Sequence, residues 1–192
     1  MDAVPARQRD PKSGELVMRH RRWGLVPSWL PDPRLGAKMI NARAETLAEK
    51  PAFRSAFRLR RCILPVQQFY EFDRTSRYTL SLIDGEPMGI AGLWESCLHG
   101  QDEPLLTCTM ITCAPNDLVS RVHHRMPAIL DPADYERWLD PHLQAPEALS
   151  PLLRPYSAER MHLEFDGPRR SVRTPFQAEQ QLLLFNALCP IS

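Results

Sequence analysis

Cys62-Ile63-Leu64-Pro65-Val66, followed after two glutamines by Phe69-Tyr70-Glu71-Phe72, reads as two extended segments rich in β-branched and aromatic residues. In a strand, Glu71 shares a face with Phe69, while Tyr70 and Phe72 point the other way. Downstream, residues 78–83, 87–94 and 105–112 complete a set of strand candidates, with Asp84-Gly85 as a hairpin signal between the first two. An antiparallel core is the economical reading. Upstream, residues 16–18 and 22–26 are short strand material, after which Pro27, Pro31 and Pro33 force an irregular surface loop carrying Trp29 and Leu30. Residues 44–59 have apolar positions at helical spacing, with Pro51 dividing them into two short pieces. Asn116-Asp117 can cap a short helix that ends near His123. Asp131-Pro132 opens the clearest helix, with Tyr135, Trp138 and Leu139 as its apolar stripe. Met161, Leu163 and Phe165 alternate as one late strand.

Composition narrows the class. The 192 residues, 43% hydrophobic, suit one domain, expected over residues 1–175, with a tail or terminal helix over 176–192. Nineteen prolines against eight glycines exclude a long bundle or coiled coil. Five cysteines are odd in number and form no Cys-x-x-Cys pair, so neither a disulfide framework nor a zinc site is signalled, and a reduced compartment is the default. With no signal segment and no apolar run of membrane-spanning length, the expectation is a soluble, cytoplasmic monomer with no membrane partner. Up to Arg61 the chain carries 14 Lys and Arg against 6 acids, and 10 against 17 from Cys62 onward. Halves of +8 and −7 point to one face for a polyanion, or else to ordinary solvated charge.

Candidate chemistry sits in three polar islands: Asn41-Ala42-Arg43-Ala44-Glu45, the Glu71 segment, and His123-His124-Arg125-Met126-Pro127. Between aromatics, Glu71 would have its pKa raised by desolvation and carry protons near neutrality; at a strand end facing water it would be an ordinary carboxylate. His123 is a complementary acid or base, or a structural cap. Asn41 and Arg43 alternate on an extended segment, so an amide donor and a phosphate fork can point the same way; otherwise Asn41 is a turn leading into a helix start. Trp29 and Leu30 either wedge between bases or cap the core. His123-His124 makes a poor metal pair, and neither metal nor cofactor is expected.

Taken together, Trp23-Gly24-Leu25-Val26-Pro27-Ser28-Trp29, Ile40-Asn41-Ala42-Arg43-Ala44-Glu45-Thr46, Arg61-Cys62-Ile63-Leu64-Pro65, Phe69-Tyr70-Glu71 and His123-His124-Arg125-Met126-Pro127-Ala128-Ile129-Leu130 resemble the SOS-response-associated peptidase family. The resemblance implies an α+β fold with an antiparallel or mixed, barrel-like β-sheet core and short peripheral helices. It also implies recognition of abasic sites in single-stranded DNA, as part of a DNA-damage response. In that family an N-terminal Cys, exposed by self-removal of the initiator Met, closes a thiazolidine on the sugar aldehyde. Carried over, Glu71 is the general acid/base, His123 assists sugar opening and imine chemistry, and Asn41 positions the nucleophile. Arg43 and Arg125 hold phosphates, with Trp23, Trp29 and Leu30 completing the DNA-binding set.

This chain begins Met1-Asp2 where the family has Met-Cys-Gly-Arg. Either the true start lies upstream, the reading favoured here, or the protein is a non-enzymatic single-strand binding module without the nucleophile. A third reading, a thiol peptidase using Cys62 or Cys113 with His123, requires an exposed thiol of low pKa. In the tail, Gln181-Leu182-Leu183-Leu184-Phe185 resembles a sliding-clamp docking peptide, with Gln181 on the rim and Leu182, Leu184 and Phe185 as apolar contacts, or else it is a helix packing on the core.

Overall fold

The structure, a computed structural model, describes residues 3–98 and 102–168. The expected tail, with Gln181, Leu182, Leu184 and Phe185, lies outside the described residues. The strands are β1 (Ala3–Arg9), β2 (Leu16–Trp23), β3 (Asn41–Arg43), β4 (Arg61–Val66), β5 (Gln68–Phe72) and β6 (Ser76–Leu82). They continue with β7 (Met88–Cys97), β8 (Leu105–Cys113), β9 (Met126–Pro127), β10 (Ile129–Leu130) and β11 (Met161–Pro168).

Pairings run β7 to β4 to β1 to β2 to β8, and β8 returns to β7, so five strands close on themselves. The β2–β8 and β3–β8 pairs are parallel and the others antiparallel, so the sheet is mixed. Closure removes free sheet edges and leaves an interior that side chains must fill. Ala6, Cys62, Leu64, Leu93 and Cys108 are all buried. A Cβ on Gly92 would stand 3.0 Å from the Cys62 sulfur and 3.1 Å from a Leu64 side-chain carbon, so any side chain there would have to push these neighbours aside. Among these small groups lies a buried guanidinium, which sequence reading missed. Arg21 donates to Gln8 Oε1 at 2.8 Å and to the Glu95 carbonyl at 3.0 Å, and covers the Trp94 ring at 4.2 Å.

β5, β6 and β11 form a second, three-stranded sheet. Asp84-Gly85 does not join a hairpin, contrary to expectation, because β6 and β7 belong to different sheets. Gly85 does turn, with φ of 75° and its N–H donating to the Leu82 carbonyl, but β6 pairs with β5 and β11 while β7 pairs with β4, β8 and β10. A turn residue fixes the local reversal, whereas which strands pair is decided by burial. β2 is longer than expected because polar Arg19-His20-Arg21, which broke the apolar pattern, forms its middle.

Helices are short and peripheral. The region around Pro51 is a 3₁₀ turn (Ala44–Thr46) and α1 (Arg54–Leu59), two pieces as anticipated. Asp131 Oδ1 accepts from the Ala133 N–H and starts the turn leading to α2 (Tyr135–Leu139), whose Trp138 is wholly buried; α3 (Pro146–Leu149) follows. Arg61 ties α1 and α2 to β4 by donating to the carbonyls of Phe57, Arg58, Trp138 and Asp140. Burial pulls its pKa down to about 10. No helix among the described residues is long and apolar enough to cross a membrane.

Candidate functional site

β8 is the spine of the site. Near its C-terminal end, β3 pairs along one edge at Met110–Thr112 and β9 pairs at Thr112 and Cys113, so the first and third polar islands meet around Thr112. Within β3, Ala42 is buried and Asn41 and Arg43 are exposed on the opposite side. Trp23 fixes the entry to β3: its indole N–H donates to the Ile40 carbonyl at 2.8 Å, and the same carbonyl accepts from the Met110 N–H. Trp23 thus positions Asn41.

His123 is delivered by a tightly braced loop. Asn116 Oδ1 accepts the Val119 N–H at 2.9 Å, while its amide donates to the Tyr156 carbonyl at 2.8 Å. A 3₁₀ turn over Val119–Arg121 follows, and the His123 N–H donates to the Val119 carbonyl. The expected capping role of Asn116 is met by its side chain, although the helix is one turn of 3₁₀.

His123 Nδ1 lies 3.5 Å from Glu71 Oε2, joining the third island to the second. Nδ1 is also 2.9 Å from the Arg125 carbonyl and 3.3 Å from the Arg125 N–H. A protonated Nδ1 donates to that carbonyl and faces the carboxylate; a bare Nδ1 accepts from the N–H instead. The ring is therefore held in place in either protonation state, as a proton carrier requires. The Glu71 side chain is 18% exposed. Burial raises its pKa, opposed by the charge of His123 and by a hydrogen bond to the Phe72 backbone.

Arg125 donates through Nη1 and Nη2 to both oxygens of Glu45, at 2.7 and 2.9 Å, and through Nη2 to the Thr112 carbonyl at 2.6 Å. The guanidinium holds the Glu45 carboxyl below its ordinary pKa, and the Arg43 charge adds to this. Glu45 thus occupies the Arg125 fork, which the family resemblance assigns to phosphate. Arg43 is exposed and has no side-chain hydrogen bond among the described residues.

The Trp29 loop stands apart. Ser28 accepts from the Cys97 thiol, level with Leu105 on β8, five residues below Met110, or about 17 Å along the strand. Trp29 is 59% exposed, whereas Leu30 is 7% exposed and packs inward. Of the expected wedge pair, only Trp29 projects.

Cys62, Cys108 and Cys113 are buried. Burial pushes the Cys62 thiol well up, Cys108 to about 12 and Cys113 to about 11. None is poised as a thiolate near neutral pH, which removes the thiol-peptidase reading for Cys62 and Cys113. No group of three His, Cys, Asp or Glu suited to a metal occurs among the described residues.

The sequence pattern of the SOS response associated peptidase (SRAP) family matches residues 2–165. The chain belongs to the SRAP family. It is 44% identical over 145 residues to the abasic site processing protein YoqW of Bacillus subtilis, covering 73% of this chain and 65% of that relative. It is 32% identical over 163 residues to the abasic site processing protein HMCES of Gallus gallus, covering 69% of this chain and 48% of the relative. The chain therefore spans just under two thirds of the length of the first relative and about half that of the second. A solved protein from Bacteroides thetaiotaomicron superposes with a TM-score of 0.76 at 29% identity, over 85% of this chain and 73% of that one. A second, from Bordetella bronchiseptica, gives 0.70 at 29% identity over 84% and 83%. The SRAP assignment accords with the mixed barrel. Of the motifs that carried the resemblance, those holding Asn41, Glu71 and His123 come together near Thr112, while the Trp29 loop and β4 lie elsewhere on the barrel.

Proposed function

We propose that this SRAP protein binds single-stranded DNA at abasic sites and, in a form carrying an N-terminal Cys, links covalently to the lesion and removes its own initiator Met. The observation that carries this reading is the half-buried Glu71–His123 pair at 3.5 Å, two residues from Arg125, whose guanidinium meets Thr112 on the strand that pairs with Asn41–Arg43. Arg43 and Arg125 hold the phosphates on either side of the lesion. His123, protonated, gives its proton to the ring oxygen as the C1–O bond breaks, and the anomeric hydroxyl loses its proton to water, opening the sugar to the aldehyde. Glu71 takes a proton from the α-ammonium, whose free amine then adds to the aldehyde carbon. Water leaves to give the imine, and the Cys sulfur adds across the C=N bond to close the thiazolidine, with its proton passing to nitrogen. Asn41 orients the amine. β1 runs antiparallel to the β2–β8 direction, so its first residues lie at the end nearest β3, which supports approach of an upstream terminus to Asn41. Trp29 meets a base further along the strand, backed by Leu30.

The partner is abasic single-stranded DNA; no cofactor takes part. A form beginning Met-Cys, incubated with such DNA, gives an adduct that survives heating on a denaturing gel and is lost in Glu71→Ala. Salt-sensitive binding without any adduct would instead establish the non-enzymatic binding module. We also propose clamp docking through Gln181, Leu182, Leu184 and Phe185. Leu184→Ala with Phe185→Ala then abolishes retention on a sliding clamp and spares lesion binding, and equal retention would discard it.

A further inference from the structure

Glu71 ends a row. In the three-stranded sheet it pairs directly with Tyr78 on β6, which pairs directly with Phe165 on β11, so the three side chains stand side by side on one face. The neighbouring row on that face, Phe69, Leu80 and Leu163, packs into the core. The Glu71 row lies beyond the edge of that core: Glu71 and Tyr78 are half-buried and Phe165 is 61% exposed, whereas Phe69 and Leu80 in the next row are buried. Tyr78 and Phe165 meet edge to face, with ring centroids 5.9 Å apart at 69°. Tyr78 is locked by its hydroxyl, which donates to Asp73 Oδ2 at 2.9 Å. The nearby carboxylates are already engaged. Asp73 also accepts from the N–H groups of Thr75 and Ser76, and Asp166 pairs with Arg77 at 2.5 Å.

We propose that Tyr78 and Phe165 form a stacking subsite for the nucleobase next to the abasic nucleotide held at Glu71. This rests on the single-stranded DNA reading above and extends it. Strands lie about 4.8 Å apart, so Tyr78 is one strand spacing from Glu71 and Phe165 two, about 10 Å. A nucleotide bonded to one seated at Glu71 covers that interval. A rigid aromatic face whose one donor, the Tyr78 hydroxyl, is already spent on Asp73 suits any base, since every base offers a π-face. The lesion itself has no base to stack, so its neighbour is where a stacking contact is available. Phosphate contacts at Arg43 and Arg125 and base stacking at Phe165 then engage the strand on two sides of the proton-transfer pair.

The test uses single strands carrying a stable tetrahydrofuran abasic analogue, with 2-aminopurine on one side of it or on the other. Fluorescence and affinity are measured with wild type and with Phe165→Ala. Phe165 is mostly exposed, so this variant keeps the fold. The account expects one of the two reporters to be quenched on wild-type binding, and Phe165→Ala to lose that quench and about tenfold in affinity. A strand whose flanking base is also missing should bind wild type as weakly as Phe165→Ala binds the parent strand. Unchanged quench and affinity in Phe165→Ala would overturn the subsite while leaving the functional reading intact. Failure of wild type to bind the lesion strand at all would overturn both.

Discussion

Replacing Glu45 with Gln should tighten binding of single-stranded DNA. In the free protein both oxygens of Glu45 accept from Arg125, so a phosphate reaching that fork must displace a carboxylate. The Glu45 side chain is 52% exposed, which puts the pair in the water-screened regime of roughly 0.2–1 kcal/mol. Glu45→Gln keeps the shape and removes the charge. The cost to folding stability is then below about 1 kcal/mol. The same quantity, no longer opposing phosphate, appears as a gain of up to about fivefold in affinity. One further uncompensated cation steepens the slope of log K against log salt by about 0.7 for a single strand. Anisotropy of a labelled oligonucleotide between roughly 50 and 200 mM salt reads both numbers. Adding Arg125→Gln should erase the gain. Weaker binding by Glu45→Gln, with the wild-type slope, would refute the reasoning and make Glu45 a group that orients Arg125 for DNA.

Arg61→Met leaves the carbonyls of Phe57, Arg58, Trp138 and Asp140 without their shared donor and should cost about 3–5 kcal/mol in urea unfolding; a loss under about 1 kcal/mol would contradict that role. Because burial raises the Glu71 pKa, the stability linked to its neutral form is fully present below the ordinary value of 4.5 and is lost as pH rises through the raised one. Glu71→Gln should therefore be more stable than wild type at neutral pH and show no such gain in acid, as thermal melts across that range would reveal. Of the four described thiols, Cys97 is half-exposed and should be alkylated in the native protein, while Cys62, Cys108 and Cys113 resist until unfolding, as peptide mass mapping would record.

What the sequence disclosed was set by local chemistry. β4 and β5 were legible because apolar and aromatic residues dominate both, with Glu71 set between the aromatics of β5. The break at Pro51 and the start at Asp131-Pro132 were legible because each depends on one residue's backbone. Pairing partners were not, as Asp84-Gly85 demonstrates: a turn signal carries no information about which sheet each arm joins. The residue types of the site could be read, and Glu71 and His123 do meet. The Glu45–Arg125 fork could not be foreseen, since the two are 80 positions apart and each looks like an ordinary surface charge. Buried Arg21 was hidden for a related reason. A cation flanked by Arg19, His20 and Arg22 reads as a solvated patch, and only barrel closure turns it inward. Leu30 differed from Trp29 because the turn from Pro27 directs one side chain outward and its neighbour in.

The account's centre is that Glu71 and His123 act as one proton-transfer unit on an abasic strand. A double-mutant cycle on the single-turnover rate of adduct formation, using Glu71→Gln and His123→Gln in a form with an N-terminal Cys, tests it directly. The prediction is that each single variant loses at least about 100-fold and that the double variant is little worse than the poorer single. Losses that multiply, or single variants within a few-fold of wild type, would contradict it.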